Sequence, residues 1–358
     1  MEKIEEKKEK KINVSEFLLE KLYNRKDKEL FLEEYLTEDN SREMYTVFLN
    51  QAGEWENIIK KDLYEFNEKD VENLFANAYT NSPNSLRALF STCKQYLNWA
   101  TNDKLLNRTG ENPFEILNFK KDIMPMLNTK DILEKYISEE EVWAIQNRKE
   151  TINAQDFICI ILPFYGIKSQ MCSEIVNLKR SDVDGVNNKI TLVNKIIYET
   201  TIDPITKVET KIEVKRIMRT IPISKRLIKS IEDADDQIEY MRRGKMGFGD
   251  RDSCMLFENS EYVVKPTTKN GFPYVTAQTV ATRSKKNLSD VGFKNISIND
   301  LVISGKIHVL NQIEKNENRE VSIEDYKYVQ ELFAENSENY ANIKQTFELY
   351  KKAISKAD

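Results

Sequence analysis

Residues 165–184, with the sequence YGIKSQMCSEIVNLKRSDVD, give the strongest indication of the architecture of this chain. It follows an apolar run at residues 157–162 that has no polar face and therefore belongs at the centre of a domain. Pro163 stands between the two and predicts a bend or a break in the helix that carries the apolar run. Residues 165–184 therefore connect a predicted buried helix to a segment with a different periodicity.

That next segment, from about residue 189 to residue 223, has the alternating pattern of β-strands. Ile190 and Leu192 alternate with polar residues, which is typical of a strand with one buried face. Asp203-Pro204 interrupts the segment and favours a turn. We therefore predict two antiparallel strands joined at this turn.

The rest of the chain has helical spacing of its apolar residues. Residues 14–117 are predicted to be helical, and Ser138 with Glu141 has the form of a capping box that starts a later helix. Further helices are predicted at residues 224–240, at residues 276–288 and across residues 323–354. The predicted plan is a helical domain at residues 1–125, a linker at residues 126–136 and a mostly helical domain with a small antiparallel sheet at residues 137–358.

Composition limits the classes of function. With 40% hydrophobic and 32% charged residues, the chain of 358 residues has the composition of a soluble globular protein. Its apolar runs are shorter than the roughly 20 residues that a membrane span requires, and the first residues have no apolar signal segment. We expect a cytoplasmic protein.

Cysteine and histidine are too sparse and scattered to predict a metal site. The chain has one histidine, His308, and four cysteines that form no CxxC pair. Two of the cysteines, Cys93 and Cys159, stand in apolar segments and are predicted to be buried. No metal or other cofactor is expected.

Four segments together resemble the tyrosine recombinases, also called phage integrases. Residues 165–184 follow the family's box, roughly tGlR-xxEl-xxLxxxDid, with Lys168 in place of its arginine. The other three segments are residues 84–99 with Asn112-Pro113, residues 135–142 and residues 275–302. In that order they are similar to the end of the core-binding domain, the start of the catalytic domain and the run that ends in tpHdLR. The resemblance implies a two-domain clamp around duplex DNA, made of a helical core-binding domain and an α+β catalytic-like domain.

The family cuts DNA by attack of a tyrosine oxygen on a phosphodiester, and the resemblance places other residue types at its catalytic positions here. Two family arginines hold the non-bridging oxygens, because a guanidinium grips phosphate with two donors and keeps its charge. Lys168 stands in place of the first arginine and Val302 in place of the second. Asn299 and Glu335 correspond to family histidines, and the position aligned with the nucleophile is Lys344.

These replacements predict a protein that does not cut DNA. Loss of an arginine that stabilises phosphoryl oxygens costs about 10³–10⁵ in rate in other phosphoryl-transfer enzymes. A carboxylate at Glu335 is expected to repel a scissile phosphate. Lys211 or Lys215 resembles the family's hairpin lysine and is the one catalytic group predicted to persist, while Tyr340 and Tyr350 flank the nucleophile position out of register.

Some of these residues also have purely structural interpretations. Val302 fits a packing position on a helix, and Asn299 fits the cap of that helix. His308 stands among apolar residues and is interpreted as an ordinary, partly buried residue rather than a displaced catalytic histidine.

The leading hypothesis is a non-catalytic protein that binds a specific double-stranded DNA sequence. A net charge of −5 argues against indiscriminate binding, but the basic residues are clustered. The predicted DNA contacts are Arg87, Lys94, Lys168, Lys179, Arg180, Lys215, Arg216, Arg219, Gln278, Thr279, Arg283, Lys285 and Lys286. Phosphate contacts by such cations set affinity and position, and groove contacts set specificity.

Such a protein fits a transcriptional repressor of a prophage or another mobile element, and the chain resembles the recombinase-fold repressors of SPβ-type phages. DNA is the expected partner, and a second copy of the chain and a regulatory protein or peptide are further candidates. Two alternatives stay open at this point. One is an active recombinase that uses Tyr340 or Tyr350, and the other is a protein-interaction module on the same fold.

Overall fold

The computed structural model describes residues 16–36, 39–78, 83–104, 106, 112–126, 133–202, 209–244, 247–257, 260–267 and 274–357. The chain divides into two compact units, residues 1–132 and residues 133–358. This division falls inside the segment predicted to be a linker. The predicted turn at Asp203-Pro204 lies outside the described residues.

The first unit consists of helices and turns, without a strand among its described residues. Its α-helices are α1 (Glu16–Leu19), α2 (Arg25–Tyr35), α3 (Asp39–Ile59), α4 (Glu68–Asn77), α5 (Pro83–Asn98) and α6 (Pro113–Ile116). Helix α4 begins with a capping box formed by Asn67 and Asp70. In α5 the predicted apolar face, from Leu86 to Leu97, is buried, and it includes Cys93 as expected.

A buried ammonium group joins α2 to α3 in this unit. Lys28 Nζ lies 2.8 Å from Glu56 Oε1 and 3.3 Å from Asp62 Oδ2, and it donates to the backbone carbonyl of Tyr23 at 2.8 Å. Burial raises the pKa of the Glu56 carboxyl to about 7, and the charge of Lys28 opposes this shift. The cation therefore serves the fold and is withdrawn from solvent.

The second unit combines helices with two small antiparallel sheets. Its α-helices are α7 (Glu139–Gln146), α8 (Ala154–Phe164), α9 (Ser173–Val176), α10 (Lys225–Asp236), α11 (Ala277–Asp290), α12 (Ile298–Glu317), α13 (Ile323–Leu332) and α14 (Tyr340–Ala357). Its strands are β1 (Val183–Asp184), β2 (Lys189–Ile202), β3 (Glu209–Pro222), β4 (Glu239–Gly244) and β5 (Gly247–Met255). The predicted fold class, mainly helical with a small antiparallel sheet, is confirmed. Across the described parts of the chain, every helix is too short or too polar to cross a bilayer.

Helix α8 is the centre of the second unit. Its residues from Ile158 to Leu162 have no exposed surface, and α7, α10, α11 and α12 pack around it. The helix ends one residue after Pro163, as the sequence predicts. Ser138 and Glu141 form the predicted capping box at the start of α7.

The first sheet has the order β1-β2-β3, and all of its strands are antiparallel. Ile190 pairs with Ile221, and both side chains are buried against the helices. Strands β2 and β3 continue past β1 as a two-stranded ribbon, in which Ile217 and Met218 of β3 are exposed. The predicted pair of strands is therefore confirmed.

The hairpin of β4 and β5 is a correction to the sequence prediction. The helix predicted at residues 224–240 ends at Asp236, and Tyr240 lies in β4 opposite Cys254. Gln237 follows the helix with an extended backbone, and its side chain donates to the backbone carbonyl of Glu239 at 2.8 Å. At residues 239 and 240, strand pairing therefore replaces the helix that local propensity predicts.

Gly305 sets how closely α12 approaches α8. A β-carbon at this position would lie 1.8 Å from the carbonyl oxygen of Phe164 and 2.8 Å from its carbonyl carbon. The two helices therefore meet through their backbones. This contact places Val302 and Lys306, which flank Gly305 on α12, beside the residues that follow α8.

We expect Gly305→Ala to destabilise the second unit by about 3 kcal/mol or more, at the upper end of the usual cost of overpacking, because the obstacle is backbone. Urea unfolding of the full chain measures the effect. Gly185→Ala is the matched control, since a β-carbon there would meet nothing within 4 Å. Equal unfolding midpoints for the two variants would contradict the close approach of α12 and α8.

Candidate functional site

A cavity of about 250 Å³ in the second unit collects residues from three separate parts of the chain. The loop after α8 contributes Lys168, helix α12 contributes Val302, and the turn after α13 contributes Glu335. The cavity is also lined by Gly166, Ser169, Gln170, Phe333 and Ala334. Three of the positions at which the sequence departs from the recombinase pattern are therefore brought together.

The loop that carries Lys168 has an unusual backbone that its neighbours hold in place. Gly166 has a φ of +79°, and a β-carbon there would lie 3.1 Å from Phe333 Cγ. The backbone N–H of Lys168 donates to Glu174 Oε2 at 3.0 Å. Left-handed φ values of 52–55° follow at Ser169, Met171 and Cys172. Non-glycine residues rarely adopt this region, and such conformations concentrate at functional sites.

Lys306 is a further cation at this site, which the sequence analysis did not identify. It lies on α12 one turn after Val302 and is 4% exposed. Its Nζ lies 2.7 Å from Glu335 Oε1 and donates to Gln330 Oε1, also at 2.7 Å. Burial lowers its pKa, with a smaller contribution in the same direction from Lys168, while the bond to Glu335 opposes the shift. Lys306 follows Val302 by four residues, which places both on the same face of the helix, and this spacing could have identified Lys306 from the sequence.

Glu335 therefore does not stand in the site as an uncompensated negative charge. Its carboxylate is bound to Lys306, and its side chain is 46% exposed. Val302, which the recombinase resemblance aligns with a family arginine, is buried and lines the cavity, in agreement with its interpretation as a packing residue. Across the described residues, the lining of the cavity carries one ammonium, Lys168, and one carboxylate, with Lys306 behind them.

Asn299 lies outside this cluster. It is exposed in the first turn of α12, and the cap of that helix is Ser297, which forms a capping box with Asp300. The interpretation of Asn299 as the cap is therefore wrong. His308 is partly buried, as predicted, with Nε2 3.4 Å from Glu139 Oε2.

The residues at and around the nucleophile position also lie apart from the cavity lining. Lys344 is half-buried on α14, with Nζ 4.0 Å from Glu348 Oε1. Tyr340 begins α14 beside Lys327, whose Nζ lies 5.8 Å from the ring centre. Tyr350 is buried, and its ring centre is 4.5 Å from that of Tyr136. Among the residues described as lining the cavity there is no tyrosine.

Arg219, a predicted DNA contact, is used inside the fold instead. Its Nε and Nη2 donate to the two carboxylate oxygens of Glu174 at 2.6 and 2.8 Å. Nη1 donates to the carbonyl of Leu332 at 2.5 Å, and Nη2 also donates to the carbonyl of Gly166 at 2.7 Å. Glu174 has no exposed surface. Four of the five N–H donors of the guanidinium are therefore used by acceptors within the fold, and Arg219 is removed from the set of predicted DNA contacts.

Arg283 is a second correction for the same reason. The sequence places it with Lys285 and Lys286 on α11, but its side chain is buried. Its guanidinium donates to Gln155 Oε1 at 3.1 Å and to the carbonyl of Lys265 at 2.9 Å. Helical geometry turns the two lysines to the exposed side of α11 and Arg283 to the core.

Most of the other predicted contacts are on the surface, and several are bound to carboxylates. The pairs are Lys94 with Glu115, Lys179 with Glu261, Arg180 with Glu232 and Arg216 with Glu213. Arg87 is exposed, with its Cζ 5.2 Å from the ring centre of Phe119. Gln278 is exposed and Thr279 half-buried in the first turn of α11. Lys215, Lys285 and Lys286 are exposed and form no ion pair with any described residue. The side chain of Lys211 lies outside the described part of the chain.

Comparison with known families gives a match in each unit. Residues 136–356 match the family model described as MrpR, C-terminal catalytic domain, and residues 22–102 match that described as MrpR, N-terminal core-binding domain. No curated protein matches the chain.

Several solved structures are similar to the chain at low identity. One is the Tn1549 transposon integrase in complex with transposon right end DNA, with 12% identity, 93% of this chain and 94% of that chain covered, and a TM-score of 0.43. A lambda integrase dimer bound to a COC′ core site has 12% identity, coverages of 93% and 76%, and a TM-score of 0.43. XerA recombinase has 13% identity, coverages of 96% and 96%, and a TM-score of 0.38.

We expect Arg219→Ala to lower the stability of the second unit by about 3–5 kcal/mol, because it leaves the buried carboxylate of Glu174 without a counterion. Arg216→Ala is the control, since its exposed pair with Glu213 should contribute about 1 kcal/mol or less. Urea unfolding distinguishes the two. If Arg219→Ala were as stable as Arg216→Ala but lost DNA affinity, the original assignment of Arg219 as a DNA contact would be restored.

Proposed function

Because this chain belongs to the MrpR family and has the two-domain tyrosine-recombinase fold, we propose that it binds a specific double-stranded DNA sequence as a regulator and does not cut the DNA. The observation that carries the proposal is the cavity of Lys168, Val302 and Glu335. Positions at which the recombinase pattern has cations and histidines hold a lysine, a valine and a carboxylate there.

The chemistry of strand cleavage supports the proposal of an inactive site. A phosphodiester under attack concentrates negative charge on its oxygens, and catalysis depends on donors that face those oxygens. Val302 offers no donor, and the ammonium of Lys306 is already bound to Glu335 and Gln330. Tyr350 is buried next to Tyr136, and the described lining of the cavity holds no tyrosine hydroxyl. Each of these features raises the barrier to cleavage without affecting contacts elsewhere.

Binding to DNA uses other residues. Lys285 and Lys286 on α11 and Lys215 on β3 are exposed cations whose charge is not neutralised by a described neighbour. Arg87 and the half-buried Thr279 with Gln278 add donors of the kinds that contact phosphates and base edges. These side chains stand on α5 in the first unit and on β3 and α11 in the second, and in each unit we assign them to contacts with DNA.

A protein that occupies a DNA site tightly and leaves it intact acts on transcription by excluding other proteins from that site. We therefore propose a repressor of a prophage or another mobile element, which acts in the cytoplasm where its DNA lies. A second copy of the chain on a symmetric operator would double the contacts, in the way that two-fold dimers read palindromic sites.

We expect the chain to bind discrete genomic fragments, recovered by pull-down and sequencing, with an affinity that falls steeply with salt. In Lys285→Ala/Lys286→Ala, the slope of log K against log salt should become shallower by about 1–2, because each lost phosphate contact removes about 0.9. Lys352→Ala, which removes an exposed lysine of α14, is the control and should keep the slope. Equal affinity for the recovered fragments and for random duplex would overturn the proposal of specific binding.

We expect no covalent protein–DNA adduct when the recovered fragment is supplied as a nicked suicide substrate that traps a tyrosine–phosphate bond. Denaturing gel electrophoresis reads the result. An adduct that disappears in Tyr340→Phe or Tyr350→Phe would establish the alternative of an active recombinase. Binding of a protein partner without any binding of DNA would establish the interaction module instead.

A further inference from the structure

The ion pair of Lys306 and Glu335 is unusual for a surface cavity because its two partners differ in exposure. The Lys306 side chain is 6% exposed and that of Glu335 is 46% exposed, while Lys306 Nζ and Glu335 Oε1 lie 2.7 Å apart. The ammonium therefore forms the inner end of the pair and the carboxylate the outer end. An anion that approaches from solvent meets the carboxylate first.

The carboxylate of Glu335 binds an ammonium in the same way as the phosphate that it would exclude. A carboxylate oxygen and a phosphate oxygen are both oxyanions that accept charge-assisted hydrogen bonds from an ammonium. Lys306 has three donors, of which one reaches Gln330 Oε1 and one reaches Glu335 Oε1. Lys168 also lines the cavity, and it lies close enough to Lys306 for its charge to influence the pKa of that group. Without Glu335, the ammonium of Lys306 would lose its counterion behind a cavity of about 250 Å³ that Lys168 lines.

We propose that Glu335 is an internal counterion that occupies the place of a phosphate oxygen on Lys306 and thereby keeps DNA phosphates out of this cavity. The proposal rests on the proposed function, because it concerns a protein that lies on DNA. A phosphate in the cavity would have to displace the Glu335 carboxylate from Lys306 or lie beside it. Two negative charges in contact repel each other. Glu335 therefore neutralises the charge of Lys306, and the DNA is bound by residues outside this cavity.

Removal of the counterion should open the cavity to an anion. In Glu335→Gln, the freed ammonium gains one phosphate contact on the recovered DNA fragment, so the slope of log K against log salt becomes steeper by about 0.9. Measurement at slightly acidic pH keeps Lys306 protonated, since burial lowers its pKa. An unchanged or shallower slope would overturn the inference.

A matched control separates this effect from a general gain of positive charge. Glu338→Gln makes the same change of charge three residues further along, on a side chain that is 73% exposed and pairs with Lys327 at 3.4 Å. Its slope should stay at the wild-type value. If both variants steepened the slope equally, the gain would come from net charge and the inference would be wrong.

The double variant Glu335→Gln/Lys306→Met identifies the cation that is freed. Methionine keeps an unbranched, buried side chain but removes the ammonium, so the slope should return to the wild-type value. A slope that stays steep in the double variant would show that Lys306 is not the partner of the phosphate, and the inference would fail.

A test without DNA distinguishes failure of this inference from failure of the proposed function. Inorganic phosphate should raise the thermal unfolding temperature of Glu335→Gln and leave the wild type and Glu338→Gln unchanged. This result would support the inference even if the chain bound no DNA, in which case the proposed function alone would fall. Equal shifts in all three proteins, the sign of an adventitious ion only, would overturn it.

Discussion

The guanidinium of Arg219 is the interaction on which the candidate site depends. From β3 it donates to Glu174 in α9, to the carbonyl of Gly166 after α8 and to the carbonyl of Leu332 at the end of α13. One side chain thus joins the sheet to the loop that carries Lys168 and to the turn that leads to Glu335. Arginine suits this position because its donors diverge in a rigid plane, whereas the three donors of a lysine leave from one atom. These contacts lie within the second unit and join the segments that line the cavity.

Each buried cation in this chain requires acceptors within its own unit, and this requirement explains why the site contains a carboxylate. Lys28, Arg219, Arg283 and Lys306 are all buried or nearly so, and each has acceptors supplied by its own unit. A buried cation without such acceptors would be costly, since desolvation disfavours its charged form. In the cavity this requirement is met by Glu335. Glu335, which the recombinase resemblance aligns with a family histidine, therefore serves in this structure as the counterion of Lys306.

Sequence patterns predicted the elements well and the partners of charged side chains poorly. The apolar helix at residues 157–162, the capping box at Ser138 and the long hairpin after residue 189 follow from local periodicity, and the structure has all three. Convergence of Lys168, Val302 and Glu335 could be expected only through the recombinase resemblance, because they stand in three separate segments and Lys168 lies more than 100 residues before the other two. The burial of Arg219 and Arg283 could not be predicted, since their acceptors include backbone carbonyls that carry no sequence signal. The predicted helix at residues 224–240 extended too far, and strands β4 and β5 were not predicted, because their pairing joins segments whose local pattern does not indicate a hairpin.

The ion pairs on the surface affect what kind of DNA binding this chain can have. Four of the predicted DNA contacts form an ion pair with a glutamate, for example Arg180 with Glu232 and Lys179 with Glu261. Exposed pairs of this kind contribute only about 0–1 kcal/mol, so a phosphate can replace the glutamate at little cost. The glutamate nevertheless stays near the DNA, and its repulsion offsets much of what the new contact contributes. Affinity for arbitrary duplex, which is mostly electrostatic, is therefore reduced. The proposed specific binding would then depend on contacts that only the correct sequence and shape provide, and the net charge of −5 is consistent with this proposal.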